Sequence, residues 1–307
     1  MMEANIKKGI MLVFATAIIS GVSIFVNSYG VKETDSSVYA FMKNFIVALL
    51  LLAFILGIGL KEEIKKLSRR QWTQLAIIGL IGGSVPFLLF FKGLQMTSGS
   101  TASFVYKTLF VYTSALAFLF LREKMNKEMV IGAILLILGN YFLIKPDFKF
   151  TIGHALVFSA TVMWAGENVY AKHVLKEQKG SIVAFGRMLF GSLFILLFLL
   201  VTGKYKIIAG LRTENYLWII VTSIFLLLYN LTYYNGLKRI NVGVASTILT
   251  IGLPITILLT NMFKGVSLNI YTIIGILLTI CGITSILWLN KIIGTITKAR
   301  VKTNERD

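Results

Sequence analysis

Five charged residues stand inside otherwise uncharged apolar runs, and any chemistry of this chain has to be built around them: Glu167, Lys43, Lys92, Lys107 and Arg187. Glu167 lies in WAGENVYAK, where Trp164, Glu167, Asn168 and Ala171 recur at i, i+3, i+4 and i+7 and so share one face of a helix. A carboxylate at that depth can bind substrate or carry a proton during a transport cycle, or it can serve as a helix–helix hydrogen bond. Lys107 lies about seven residues inside its run, roughly 10 Å at the helical rise, too deep to reach the boundary with ease. It either lines a substrate path or joins a buried ion pair. Lys43, Lys92 and Arg187 lie closer to the ends of their runs and are expected to snorkel to the interface. A direct Lys107–Glu167 salt bridge is a hypothesis only, because helical rise sets Glu167 roughly 10 Å deeper.

Uncharged polar residues extend this set. Ser20, Ser23 and Asn27 occupy, in an earlier stretch aligned with the Glu167 run, the equivalent helix face. Ser103 sits one turn before Lys107, and Tyr229, Asn230, Tyr233, Tyr234 and Asn235 crowd one later run. Buried Asn and Tyr need hydrogen-bond partners, and Tyr also offers a flat apolar surface to a ligand. Tyr233 and Tyr234 also fit an aromatic belt at the interface. Candidate substrate-binding residues are therefore Lys107, Glu167, Trp164, Asn168, Ser103, Ser20, Asn27, Tyr229, Asn230 and Tyr233, with Glu167 as the candidate for proton coupling. No HExxH, CxxC, Walker A or Gly-x-Ser-x-Gly motif occurs, and His154 and His173 both fall near run ends. The single cysteine, Cys281, excludes an intrachain disulfide and is expected to be a small packing residue. No metal, cofactor or enzymatic activity is expected.

The elements that position these residues follow from composition. Of 307 residues 56% are hydrophobic and 14% charged, with a mean hydropathy of +0.80, too little polar surface for a soluble globule. Ten apolar runs can be marked, at about 9–31, 38–60, 72–95, 100–121, 129–144, 153–175, 182–203, 216–237, 243–263 and 270–289, each near the ~20 residues a membrane helix needs. The first is too long for a signal-peptide core and is expected to be retained. Net charge +18 does not point to nucleic acid, because the basic residues sit in the gaps between runs. Alternate gaps hold 20 and 7 of them, which predicts that both termini are cytoplasmic.

The chain also repeats. GLQMTSGSTASFVYKTLFVYT falls on GLKRINVGVASTILTIGLPIT at an offset of 143, with 13 identities over Phe90–Asn140. Gly93, Ala102, Ser103, Asn126, Gly132 and Gly139 meet Gly236, Ala245, Ser246, Asn269, Gly275 and Gly282. GIMLVFATAIIS aligns with GHALVFSATVMW at 144, and Lys43 then falls on Arg187. Five runs per half is an odd number, so the second half must enter the membrane from the opposite side: an all-α integral membrane protein of ten transmembrane helices in two inverted five-helix repeats. The expected units are 1–147, 148–292 and a basic cytoplasmic tail, 293–307.

This pattern resembles the drug/metabolite transporter superfamily, specifically its EamA-type members. Their mark is a small-residue fourth helix ending near an acidic residue, then a glycine-spaced fifth helix; here it reads FLFLREKMNKEMVIGAILLILGNYFLI, with Glu123 as the acid. The second half departs, with Val266 in place of the acid and Pro254 where the first half has Val111. Glu123 is accordingly expected to pair with Arg122 or Lys124, or to cap a helix. The resemblance implies a secondary transporter of a prokaryotic cytoplasmic membrane, an exporter, monomeric or homodimeric, whose partners are a small-molecule substrate and the bilayer. The excess of intramembrane cation suggests a small polar or amphipathic metabolite bearing a carboxylate, such as an amino acid. The alternatives are a lipid-carrier flippase or a nucleotide-sugar exchanger and, from another class, a non-transporting membrane sensor or enzyme. Pro86 and Pro254 are expected inside helices, as kinks or bending points.

Overall fold

A computed structural model describes residues 2–30, 34–97, 99–123, 127–145, 151–264 and 269–286. Val266, Pro146, Asn126, Lys124, Ser98 and the tail 293–307 lie outside the described residues, as does the joint 146–150 between the expected halves. The described elements are helical: α1 (Met2–Gly30), α2 (Ser36–Gly57), α3 (Lys61–Lys65), α4 (Arg69–Ile78), a π-helical segment (Gly79–Ser84), α5 (Val85–Met96), α6 (Gly99–Lys107), α7 (Leu109–Leu121), α8 (Lys127–Ile144), α9 (Ile152–Val174), α10 (Gly180–Val201), a 3-10 turn (Lys204–Gly210), α11 (Thr213–Leu237), α12 (Val242–Ile248), a 3-10 turn (Leu249–Ile251), α13 (Gly252–Lys264) and α14 (Ile270–Ile286).

Seven helical stretches are long and apolar enough to cross a membrane: Glu3–Asn27, Ser36–Gly57, Arg69–Gly93, Ala102–Leu121, Gly180–Val201, Thr213–Leu237 and Val242–Phe263. Met129–Ile144 and Ile270–Ile286 are apolar but shorter. The sixth expected span, α9, is not among the seven despite its 23 residues, because it carries Trp164, Glu167, Asn168, Lys172 and His173. Its polar face is turned inward: Glu167 and Asn168 are buried, and Ala165 and Ala171 are fully so.

The packing is reciprocal. α1 lies against α11 and α13, while α9 lies against α5 and α7; α2 packs on α10, and α7 on α12. Small residues let α8 and α14 approach closely. A Cβ on Gly132 would stand 2.8 Å from the Gly282 carbonyl oxygen, and one on Gly139 would stand 3.0 Å from that of Gly275. One end of the bundle gathers the N-terminal end of α1, the C-terminal ends of α7, α9 and α11 and the N-terminal ends of α10 and α12. There the Glu123 carboxylate accepts from the N–H groups of Val242 (2.9 Å) and Gly243 (3.3 Å), and Lys172 donates to the carbonyls of Leu237 and Ile240, each at 2.7 Å. Glu123 thus caps the helix across the bundle, as the helix-cap expectation has it. At the other end Lys204 pairs with Asp35 (2.8 Å), whose Oδ1 accepts from Ser37 and Val38 at the start of α2. Cys281 is exposed on α14, contrary to the expectation of a packing residue; among the described residues no helix covers that surface of α14.

Candidate functional site

The site is organised by a break in the third span. Pro86 has no N–H, so the helix cannot return a hydrogen bond to the carbonyl four residues earlier, that of Gly82. Pro86 lies inside the helical stretch Arg69–Gly93, as expected, and the stretch adapts to it: the chain widens to a π segment, with Val85 N–H reaching back to Leu80, and Pro86 stands in the first turn of α5. Two side chains from other helices take the freed Gly82 oxygen. Trp164 Nε1 of α9 donates at 3.0 Å and Arg187 Nη2 of α10 at 2.9 Å. The next carbonyl, of Gly83, accepts from Asn44 Nδ2 of α2 at 2.8 Å. Glycine is required at 82, since a Cβ there would meet Glu167 Cδ at 2.8 Å and Arg187 Nε at 3.1 Å.

Arg187 is therefore not a snorkelling residue. It is 7% exposed, because α4, α11 and the π segment cover the end of α10 from which it would have to escape. Its Nε lies 4.0 Å from Glu167 Oε1, an ion pair without a hydrogen bond, and its Nη1 reaches Asn230 Oδ1 at 3.5 Å. Glu167 Oε1 accepts a stronger bond from the Tyr234 hydroxyl at 2.6 Å, and Tyr233 donates to Asn168 Oδ1 at 2.8 Å. Tyr233 and Tyr234 are buried partners of α9 rather than interfacial belt residues. The hypothetical Lys107–Glu167 bridge is replaced by this Arg187–Glu167–Tyr234 arrangement.

Beside it lies an aromatic wall. The Trp164 ring contacts Phe87 (5.3 Å between centroids), Phe90 (5.6 Å) and Tyr106 (5.2 Å), and Tyr229 stacks on Tyr233 at 5.5 Å. Lys107 closes this wall, with its ammonium 5.3 Å from the Tyr106 centroid. It is buried, and no carboxylate pairs with it among the described residues. Lys107 ends α6: Val111 N–H turns to Thr108 at 2.9 Å, and the Lys107 carbonyl takes Asn140 Nδ2 instead, at 3.4 Å. The ninth span breaks at the same repeat position, where the turn Leu249–Ile251 contains Thr250, the counterpart of Lys107. Pro254 belongs to the first turn of α13 after that turn and, as expected, lies inside the helical stretch Val242–Phe263.

Asn27 belongs to a different cluster. Its Oδ1 accepts from Lys43 Nζ (2.7 Å) and the Tyr39 hydroxyl (3.1 Å), its Nδ2 donates to Ser23, and Tyr39 shares a 2.8 Å hydrogen bond with Thr222. Lys43 therefore reaches inward to Asn27, while Lys92 is exposed as expected of a snorkelling residue. Ser20 on α1 and Ser103 on α6 are half-buried. Of the sequence-derived candidates the structure links Trp164, Glu167 and Asn230 through Arg187 and the Gly82 carbonyl, sets the Asn168–Tyr233 pair beside them, places Tyr229 and Lys107 against the neighbouring aromatic rings, and leaves Asn27 apart. Arg187, Tyr234, Tyr106, Phe87, Phe90 and the Gly82 carbonyl are additions. Pro86 was the available signal for the last of these.

The profile of the EamA-like transporter family matches residues 7–145 and again residues 151–288. The chain belongs to that family. Among the relatives of this EamA-like protein, an uncharacterized transporter of Clostridium kluyveri is 24% identical over 286 residues, covering 90% of this chain and 92% of the relative. The uncharacterized transporter YyaM of Bacillus subtilis is 24% identical over 259 residues, covering 81% and 83%. A solved crystal structure superimposes with a TM-score of 0.78 at 15% identity, over 92% of this chain and 98% of the other, which shows the shared fold. These matches make the chain an integral membrane protein of a transporter family.

Proposed function

We propose that this EamA-like protein is a ten-span secondary transporter of two inverted five-helix halves, with both termini cytoplasmic. It exports a small polar or amphipathic metabolite that carries a carboxylate, such as an amino acid, by alternating access. Reciprocal packing supports the architecture: the first helix of each half lies against the third and fourth spans of the other half. The observation that carries the substrate class is Lys107, a buried cation at a helix break beside Tyr106 and Trp164, with no carboxylate of the described chain against it. A charge held in hydrocarbon needs a partner, and a substrate carboxylate is the partner that a binding site leaves open. Arg187 does not compete for that role, because Glu167 and Asn230 already face it. Glu167, bonded to Tyr234, is the group through which a proton would be exchanged, and export is the direction that the family resemblance implies.

Flux of radiolabelled amino acids and other small carboxylates into and out of proteoliposomes tests this reading. Lys107→Gln is expected to lower carboxylate flux at least tenfold, since one lost charge-assisted hydrogen bond is worth about 1.5–3 kcal/mol. Thermal stability of the variant should match that of the parent. Undiminished flux in Lys107→Gln would remove Lys107 from the path. Loss of flux driven by a pH gradient in Glu167→Gln, with counterflow retained, would identify the proton-linked step.

A further inference from the structure

Nearly all helix-interior glycines of this chain are tightly opposed by a neighbouring helix, but Gly166 is not: a Cβ there would meet nothing within 4 Å. Glycine weakens a helix interior relative to alanine, so a glycine with no helix to admit calls for another use. At Gly166 the missing side chain opens the floor of a groove of about 300 Å³ between α7 and α9. Phe120 and Leu121 of α7 line one side of it, Val169 and Tyr170 of α9 the other, and His173 stands at the rim. Apart from the Tyr170 hydroxyl and the His173 imidazole the walls are hydrocarbon, and Phe120 is 73% exposed to the surroundings of the bundle.

The rim is basic. Arg122 follows Leu121 directly and is exposed; Arg70 lies close enough to interact electrostatically with Tyr170; Lys176 is exposed one turn beyond His173. The nearby carboxylate of Glu123 is engaged by the N–H groups of Val242 and Gly243 and does not neutralise this rim. Apolar grooves between membrane helices that end in basic residues suit a lipid, with the chain in the groove and the anionic headgroup on the cations.

We propose that the α7–α9 groove is a binding site for one anionic phospholipid of the adjacent leaflet. One acyl chain lies over Gly166, and the phosphate is held by Arg70, Arg122 and His173. The site does not depend on the transport reading, because it is scored by bound lipid rather than by flux. Its position has a consequence: the backbone that floors the groove is one residue from Glu167, so an occupied groove braces the helix that carries the ion pair.

Native mass spectrometry of the protein released from detergent tests the proposal, with phosphatidylglycerol and phosphatidylcholine added separately. A single phosphatidylglycerol is expected to be retained at least fivefold more than phosphatidylcholine. Gly166→Leu, which fills the floor, should abolish that retention. Arg70→Gln with Arg122→Gln, both on exposed side chains, should reduce phosphatidylglycerol to the phosphatidylcholine level and keep the reading independent of how well Gly166→Leu folds. Unsaturable binding of many lipids, equal retention of the two lipids by the parent, or full retention by the double variant would each overturn the site.

Discussion

The two halves place a cation at the same repeat position and surround it differently. Lys43 and Arg187 are each the eighth residue of their helix, in α2 and α10. Arg187 faces the carboxylate of Glu167, whereas Lys43 faces the amide of Asn27, and the repeat counterpart of Glu167 is Ser23. The Arg187–Glu167 pair stands near the bundle end that holds Glu123, and Lys43 near the end that holds Asp35. On the Arg187 side the charges of Arg187 and Glu167 attract directly and each side chain also hydrogen-bonds to other groups. The Lys43 side has hydrogen bonds and the Lys43–Tyr39 cation–π contact, with no ion pair to Lys43 among the described residues. On the proposed alternating-access reading, the less strongly held side, at Lys43, is the one expected to open first.

Substitutions should rank in that order. Removing Arg187 is the largest change: Arg187→Met leaves Glu167 buried without its cation and should cost about 3–5 kcal/mol in detergent-based unfolding. Glu167→Gln in the same chain should recover most of the loss, and a double variant no better than Arg187→Met would show that the pair is not the source. Tyr234→Phe removes the shorter of the two contacts to Glu167 and should cost about 1.5–3 kcal/mol. Lys43→Met should cost no more than about 1 kcal/mol, because its partner is neutral; a cost equal to that of Arg187→Met would erase the asymmetry.

The smallest effect concerns the carboxylate that the Lys43 end does possess. Burial alone would push Asp35 up, but Lys204 and the N–H groups of Ser37 and Val38 outweigh it and hold its pKa below the ordinary 3.8. Such a group contributes stability above its unfolded pKa and loses it as pH falls through the lower folded value, so the loss belongs below about pH 4. The pair is partly exposed, which limits it to about 1 kcal/mol or less. Asp35→Asn retains a helix-capping side chain while removing the charge, so it should lower the neutral melting temperature by that small contribution, leave the value at low pH unchanged and so flatten the acid limb of the profile. An unchanged acid limb would place the acid sensitivity elsewhere.

Much of this arrangement could be read from the sequence. The i, i+3, i+4, i+7 spacing from Trp164 to Ala171 marks a face whose four members are all buried, and the glycine register at 132, 139, 275 and 282 returns as a close contact between α8 and α14. Depth was the quantity that misled. Distance from a helix end measures access to water only when that end is uncovered, and the end of α10 is covered. The same cover buries Tyr233 and Tyr234. The break after Lys107 had no local signal, since the proline that marks its counterpart is absent at Val111, and only the repeat points to it.

The Gly82 carbonyl has a consequence for the order in which the protein is made. Its two donors lie 82 and 105 residues later in the chain. At a synthesis rate of 5–20 residues per second, the third helix waits roughly 5–20 s in the membrane before Arg187 exists to complete it. Until Trp164 is made, the nascent first half holds a helix break whose freed oxygen has neither of these donors, and until Arg187 follows it has only one. The first half is thus a client until the second arrives, and residues 1–147 expressed alone should be degraded unless 148–307 is supplied beside them.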